Sequence, residues 1–115
     1  AAEQGYAAAQ NNLGYMYATG QGVIQDFKEA VWLYRLAAEQ GFADAQNNLG
    51  NMYYGGWGVI QDNITAHMWA NIAASNGFEP AAKLRDLVAE EMTPSQLDEA
   101  TKLARECVRK EYKGC

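Results

Sequence analysis

The chain has 115 residues, 49% of them hydrophobic and 20% charged, proportions that suit one soluble globular domain. No apolar run approaches the roughly 18 residues of a membrane span. Net charge is −5 but uneven: residues 1–101 carry 4 Lys/Arg against 12 Asp/Glu, and residues 102–115 carry 5 against 2. So acidic a body argues against nucleic acid as partner, because that binding needs cations to replace counterions. The basic tail (Lys102, Arg105, Arg109, Lys110, Lys113) is read first as cations complementing the dipole at a helix C-terminus.

The opening AAEQGYAAAQNNLGYMYATGQGVIQD (1–26) returns as AAEQGFADAQNNLGNMYYGGWGVIQD (37–62), with 20 identities in 26 positions at an offset of 36. A match that dense at a fixed period marks a repeat array, in which each unit buries its apolar face against its neighbours. In the second copy AAEQG closes a helix, so residues 1–5 are expected to be the end of a preceding helix. The chain is accordingly expected to begin inside a longer protein, with any targeting segment upstream.

Within the first copy, Ala9, Leu13, Met16 and Tyr17 fall at the spacing of an amphipathic stripe and predict helix A over 7–18. Leu13 and Tyr17 mark its buried side. Gly20 and Gly22 then supply the positive φ of a sharp turn. Asp26 followed by Glu29 resembles a capping box and starts helix B at 26 or 27. Helix B runs to about Gln40 with Ala30, Leu33, Tyr34, Ala37 and Ala38 inward, and Gly41 stops it. The second copy repeats this plan: helix A over 43–54, a turn through Gly55, Gly56 and Gly58, Asp62 as cap, and helix B from there to Asn76 with a stop at Gly77. Gly14 and Gly50 lie inside the A helices at a cost of roughly 1 kcal/mol each relative to alanine. Their common register implies close approach to helix B of the same or the preceding unit.

A third copy degenerates. It keeps a helix from about Pro80 to Glu91 but loses the NLG and GxG signals. A last helix begins with Thr93 as cap, Pro94 at the first helical position and Gln96 as capping-box partner. Leu97, Ala100, Leu103, Ala104 and Cys107 mark its buried face, and the charged opposite face suits the end of a solenoid.

The segments AAAQNNLGYMYATGQGVIQD and ADAQNNLGNMYYGGWGVIQD, with WLYRLAAEQG closing the first unit, resemble the Sel-one-like repeat (SLR) family, relatives of the tetratricopeptide repeat. The resemblance covers residues 1 to about 78. It implies an all-α fold, a right-handed α-α superhelix of antiparallel helix pairs, serving mostly as a scaffold for protein contacts and often found in bacteria. The expected division is a first repeat over 1–36, a second over 37–78, and a degenerate third repeat with C-terminal cap over 79–115. Ile24 and Ile60 depart from the proline that many members carry after GV, which bears on the stiffness of the turn.

Cys107 and Cys115 are eight residues apart, about 12 Å along a continuous helix, beyond the roughly 7 Å that a disulfide allows between Cα atoms. If the helix ends near 110–113 and Gly114 turns the chain back, a bridge becomes feasible, and a cysteine-rich subgroup of the family places cystines at similar spacing. The alternative is two free thiols, one buried. A bridge would favour a periplasmic or secreted location; without it the cytoplasm is expected. No His or second cysteine pair accompanies them to form a metal site.

Catalysis has little to stand on. The one histidine, His67, occupies the place of Val31 in helix B, no Ser/His/Asp or Cys/His set is apparent, and the glycine turns lack the Lys and Ser/Thr of a phosphate loop. No cofactor is expected. Binding has more support. Opposite Leu13 and Tyr17 on the helix A wheel lie Asn11 and Tyr15, with Asp44, Asn47, Asn51 and Tyr54 in the second copy. In the family's architecture the A helices line the concave surface, so these six residues are the candidate contacts for a protein or peptide. Tyrosine and asparagine suit peptide recognition through rigid area and two-way hydrogen bonding. Trp57 is expected to pack over the next unit, with the binding edge of an exposed aromatic cluster as the alternative. Trp32 and Trp69 are expected in core or inter-unit contacts.

The expected function is therefore a non-catalytic interaction scaffold. The alternative is a periplasmic cell-envelope protein that binds, or weakly hydrolyses, a small or peptidoglycan-type ligand. Self-association through an uncovered first helix is a further expectation.

Overall fold

The computed structural model describes residues 2–115, with side-chain surroundings from residue 5 onward. Its helices are α1 (Ala2–Thr19), α2 (Phe27–Ala38), α3 (Ala43–Gly55), α4 (Asn63–Ser75), α5 (Pro80–Ala89) and α6 (Pro94–Arg109). No strand occurs among the described residues, and no helix is long and apolar enough to cross a membrane. α1 packs on α2 and α3 on α4, α2 joins the two pairs by lying on α3, and both α5 and α6 lie against α4.

The helix starts follow the capping chemistry. Asp26 accepts a hydrogen bond from the Glu29 amide, and Asp62 accepts from the amides of Ile64 and Thr65. At α6 the Thr93 hydroxyl accepts from the Gln96 amide while the Gln96 side chain accepts from the Thr93 amide, a complete capping box. Each helix pair is closed by the same backbone bond across its turn: Asp26 N–H donates to Tyr17 O at 2.9 Å and Asp62 N–H to Tyr53 O at 3.0 Å.

Gly14 and Gly50 sit where each A helix meets the B helix of its own unit. A Cβ on Gly14 would lie 2.8 Å from the Tyr34 ring, and one on Gly50 would lie 3.2 Å from Ala66 O. The tight crossing aligns the core: Ala30, Leu33, Tyr34, Ala37 and Ala38 on α2, and Ala45, Leu49, Met52, Trp69 and Ile72 on α3 and α4, are all buried. Ala100, Ala104 and Cys107 of α6 are buried, with Leu97 and Leu103 at the margin.

Between units a shared apolar core is joined by specific polar contacts. Asn48 on α3 donates to Asn11 Oδ1 on α1 at 2.9 Å. Gln46, fully buried, donates to Ala38 O at 3.1 Å and accepts from Asn76 at 2.9 Å. Arg35 donates to the Tyr53 hydroxyl, its guanidinium 5.8 Å from the ring centroid. The second turn makes the closest contact, since a Cβ on Gly58 would meet Phe27 O at 2.5 Å. Its neighbour Trp57 rests on Phe27, ring centroids 6.4 Å apart.

Several expectations are corrected. Residues 2–5 do not close a preceding helix but continue into α1. The same AAEQG at 37–41 ends α2, where Gly41 turns at φ +85, whereas Gly5 lies inside α1. Leu13 does not lie on a buried side: it is 39% exposed where its counterpart Leu49 is fully buried. Trp32 likewise is 55% exposed, whereas its counterpart Met68 is buried. Tyr6, Ala9, Leu13, Trp32 and Leu36 line an open groove on this end of the stack. Trp57 packs back on the preceding unit, not forward, because Gly58 seats the turn against the start of α2.

After α6 the chain reverses through Glu111 (φ 54), Tyr112 (φ 67) and Gly114 (φ 71), and Cys115 is joined to Cys107 by a disulfide with Cα atoms 5.7 Å apart. Tyr112 N–H donates to Cys107 O at 2.9 Å, and the Tyr112 hydroxyl meets the Asn76 amide at 3.2 Å.

Two glycine substitutions separate the turn from the joint. Gly22 has φ +74 like Gly58, but its only close neighbour is Met16 Cε at 3.5 Å. Gly22→Ala is expected to cost about 1 kcal/mol for the left-handed backbone alone, and Gly58→Ala about 2–4 kcal/mol because the methyl also meets the α2 backbone. Urea denaturation of both variants checks this; equal losses would mean that the Gly58 contact is not a structural joint.

Candidate partner-binding surface

α1, α3 and the turn from α3 to α4 carry Tyr15, Asn51 and Trp57. A groove of about 380 Å³ opens where α1, α2, α3 and the second turn meet. Tyr15, Phe27, Tyr34, Asn48, Asn51 and Trp57 line it, and no charged side chain does. Tyr15 and Trp57 are about half exposed at its mouth, while Tyr34 is almost wholly buried at its base. Burial, with Tyr15 adding to it, pushes the Tyr34 phenol up to about 12, so that it stays protonated. The site thus offers aromatic walls and two amide side chains, one of them already donating to Asn11.

The six sequence-predicted contacts do not form one surface. Tyr15 and Asn51 are brought together in the groove. Tyr54, also on α3, lies outside the groove, half-buried, with its hydroxyl donating to Glu91, and this hydrogen bond is the main reason its pKa is raised. Asp44 is exposed beside a separate small recess with Gln40, Phe42 and Asn76. Asn11 is corrected: it is buried and accepts from Asn48, because α1 is flanked by α3 as well as α2 and the wheel drawn against α2 alone misses that second face. Asn47 is only partly exposed, and its Oδ1 is buried with no hydrogen-bond partner.

Repeat arithmetic explains that orphan. Asn47 corresponds to Asn11, and the residue 36 positions after Asn48, which would donate to it, is Leu84. Leu84 lies on α5, near enough that its Cδ2 would be 3.4 Å from a Cβ on Gly50. Sequence reading overlooked Phe27, Tyr34 and Asn48 as groove residues. Asn48 carried a usable signal, since NN recurs unchanged in both copies.

His67 is buried within α4 and its Nδ1 has no hydrogen-bond partner. Burial holds its pKa below the ordinary value, with Arg85 acting in the same sense and Asp86 against it. It is a core residue, and no group of metal-ligating side chains occurs among the described residues.

A stack of helix pairs joined through tight glycine turns and inter-unit amide bonds is a helical-repeat solenoid. The Sel1 repeat profile matches residues 7–42 and 43–78, and the chain belongs to the Sel1 repeat family. Among solved structures, the protective antigen c5321, present in uropathogenic Escherichia coli strains and displaying an SLR fold, matches 92% of the chain at 33% identity with a TM-score of 0.86. A Sel1 repeat protein from Oxalobacter formigenes matches 70% of the chain at 41% identity with a TM-score of 0.67. The chain spans 24% of the first protein's length and 60% of the second's. No curated protein matches. Sel1 repeat proteins act generally as protein-interaction scaffolds and are generally non-catalytic.

Two measurements follow from the buried polar groups. Asn11→Ala is expected to destabilise by about 1–3 kcal/mol by stranding Asn48, whereas Asn47→Leu, which removes an unpaired oxygen, should be neutral or stabilising. Chemical denaturation distinguishes them, and equal losses would contradict the assignment of the orphan. For His67 the unfolded imidazole titrates at its ordinary value, about 6.5, and the folded one lower, so the unfolded chain takes up more protons as pH falls below that value. Stability is therefore full above about pH 6.5 and declines as pH drops through the folded pKa. His67→Val, the residue found at position 31, should lose less Tm than the native chain between about pH 7.5 and pH 5; an unchanged difference would exclude His67 as the source.

Proposed function

We propose that the chain is a non-catalytic scaffold that holds an uncharged, partly apolar peptide segment in the groove between the two full repeats. The observation that carries this is the meeting of Tyr15, Phe27, Asn51 and Trp57 around one opening that lacks any charged side chain. Aromatic rings give contact area at low entropic cost, and an amide side chain can both donate to and accept from a peptide backbone. The groove differs between units at the positions that matter: Tyr15 against Asn51, Ala18 against Tyr54, and Gln21 against Trp57. The frame is constant while the contacts vary. The Cys107–Cys115 bridge supports an oxidising compartment for this activity. Residues 79–115 serve in this reading as the C-terminal cap.

Panning a random-peptide phage library on the protein tests the proposal. Selected peptides are expected to lose about tenfold or more in affinity on Tyr15→Ala and on Trp57→Ala, consistent with anchor residues worth over 1 kcal/mol. Asp44→Ala, outside the groove, should leave affinity unchanged. Peptides that bind equally well to the Tyr15 and Trp57 variants would remove the groove as the site.

A further inference from the structure

A second groove, of about 400 Å³, lies between α4 and α6, lined by different helices from the first. Ile72 and Ala104 form a buried apolar floor, and Val108 stands half exposed beside them. Arg105 and Arg109 rise along one edge, one helical turn apart on α6 and both exposed. Tyr112 closes the end. No acidic side chain lines this groove, and among the described residues no carboxylate forms an ion pair with either arginine.

This cationic edge stands out against the rest of the molecule. Residues 102–115 carry three net positive charges on a chain whose other residues carry eight net negative ones. Helix-dipole complementarity accounts for basic residues in the last turn of α6, but Arg105 lies a turn earlier and the dipole effect fades within the last turn. Nor is the end wall loose. The Tyr112 hydroxyl meets Asn76, its ring contacts Gly41 of the α2–α3 turn, and the disulfide pins the loop that carries it.

We infer that the α4–α6 groove binds an acidic amphipathic peptide segment, with an apolar side chain on the Ile72–Ala104–Val108 floor and carboxylates on Arg105 and Arg109. Guanidinium groups favour this ligand because their planar donor sets match carboxylates bidentately and desolvate more readily than ammonium groups. The site is separate from the uncharged groove between the repeats, so the protein would hold two segments of opposite character at once.

The test uses the full chain and a fluorescein-labelled peptide Gly-Leu-Glu-Glu-Leu-Asp-Gly, with a matched peptide carrying Gln and Asn in place of its acids and another carrying Ser in place of its leucines. Fluorescence anisotropy at about 50 mM salt is expected to show saturable binding of the acidic peptide, about tenfold or more weaker for the amide peptide and weaker again at about 300 mM salt. The Arg105→Gln/Arg109→Gln double variant should lose about tenfold or more, while Arg85→Gln, on α5, should lose nothing. Both exposed arginines can be replaced without touching the core, and circular dichroism confirms the fold. Unsaturable binding, equal affinity for acidic and amide peptides, full retention by the double variant, or indifference to loss of the leucines would each overturn the proposal. A salt-sensitive dimer of the native chain that disappears in the double variant would also overturn it, assigning the groove to the acidic body of a second copy.

Discussion

At Gly50 the backbone of α3 comes so near α4 that a methyl group would meet the Ala66 carbonyl oxygen at 3.2 Å, and at Gly14 the same crossing brings α1 against the Tyr34 ring. The molecule accepts two mid-helix glycines, each roughly 1 kcal/mol less favourable than alanine, to obtain that separation. With the helices this close, small residues can fill the seam, and Ala30, Ala45, Ala66 and Ala70 are fully buried there. The Tyr34 ring lies across Gly14 in that seam and forms the base of the groove between the repeats.

The second constraint acts between pairs. An all-apolar joint would let neighbouring units slide or rotate, because the hydrophobic effect has no direction. Directional bonds prevent that: Asn48 to Asn11, Gln46 to Ala38, and Arg35 to Tyr53 fix α3 against both helices of the unit before it. Gly58 then seats the second turn on Phe27 and leaves Trp57 standing over the opening. The groove owes its shape to structural contacts, and its varying residues project from a frame that does not vary. Tyr15 and Asn51 occupy one register in the two copies and differ in chemistry, while Trp57 also packs on Phe27.

Features that act within one helix or one turn were legible from the chain alone. Asp26, Asp62 and Thr93 cap where capping chemistry predicts, and the recurring glycines turn and pack as their spacing implies. Features that depend on which surface lies opposite were not. A helical wheel assumes one buried face, but α1 and α3 each have two, so Asn11 was read as exposed although it bonds to the next unit. That Asn11 and Asn47 are the same residue in both copies, unlike Tyr15 and Asn51, was the available sign of a structural duty. Leu13 and Leu49 show the converse, since identical residues at the same register differ in burial, and Leu49 lies on the helix that α2 of the unit before it packs against. The tetrapeptide AEQG goes further, continuing a helix at residues 2–5 and ending one at 38–41, so the local pattern alone does not fix where the chain turns.

The departures of the third unit are connected by the way it packs on α3 and α4. Where a third asparagine would extend the amide bonds there is Leu84, which leaves Asn47 Oδ1 unpaired but adds apolar surface against α3 and α4. An orphaned acceptor costs about 1–3 kcal/mol, so the substitution is tolerable only if the terminal packing it permits is worth at least as much. That packing is visible: Leu84 and Val88 bury against Ala66 and Ala70. α6 then lies on α4 with a densely charged outer face. The polypeptide beyond α6 is folded back and bridged, Cys115 to Cys107, so that Tyr112 reaches Asn76 and Gly41. α6 and α4 lie side by side, and Arg105 and Arg109 form one edge of the groove at their junction, over a floor to which both helices contribute through Ile72 and Ala104.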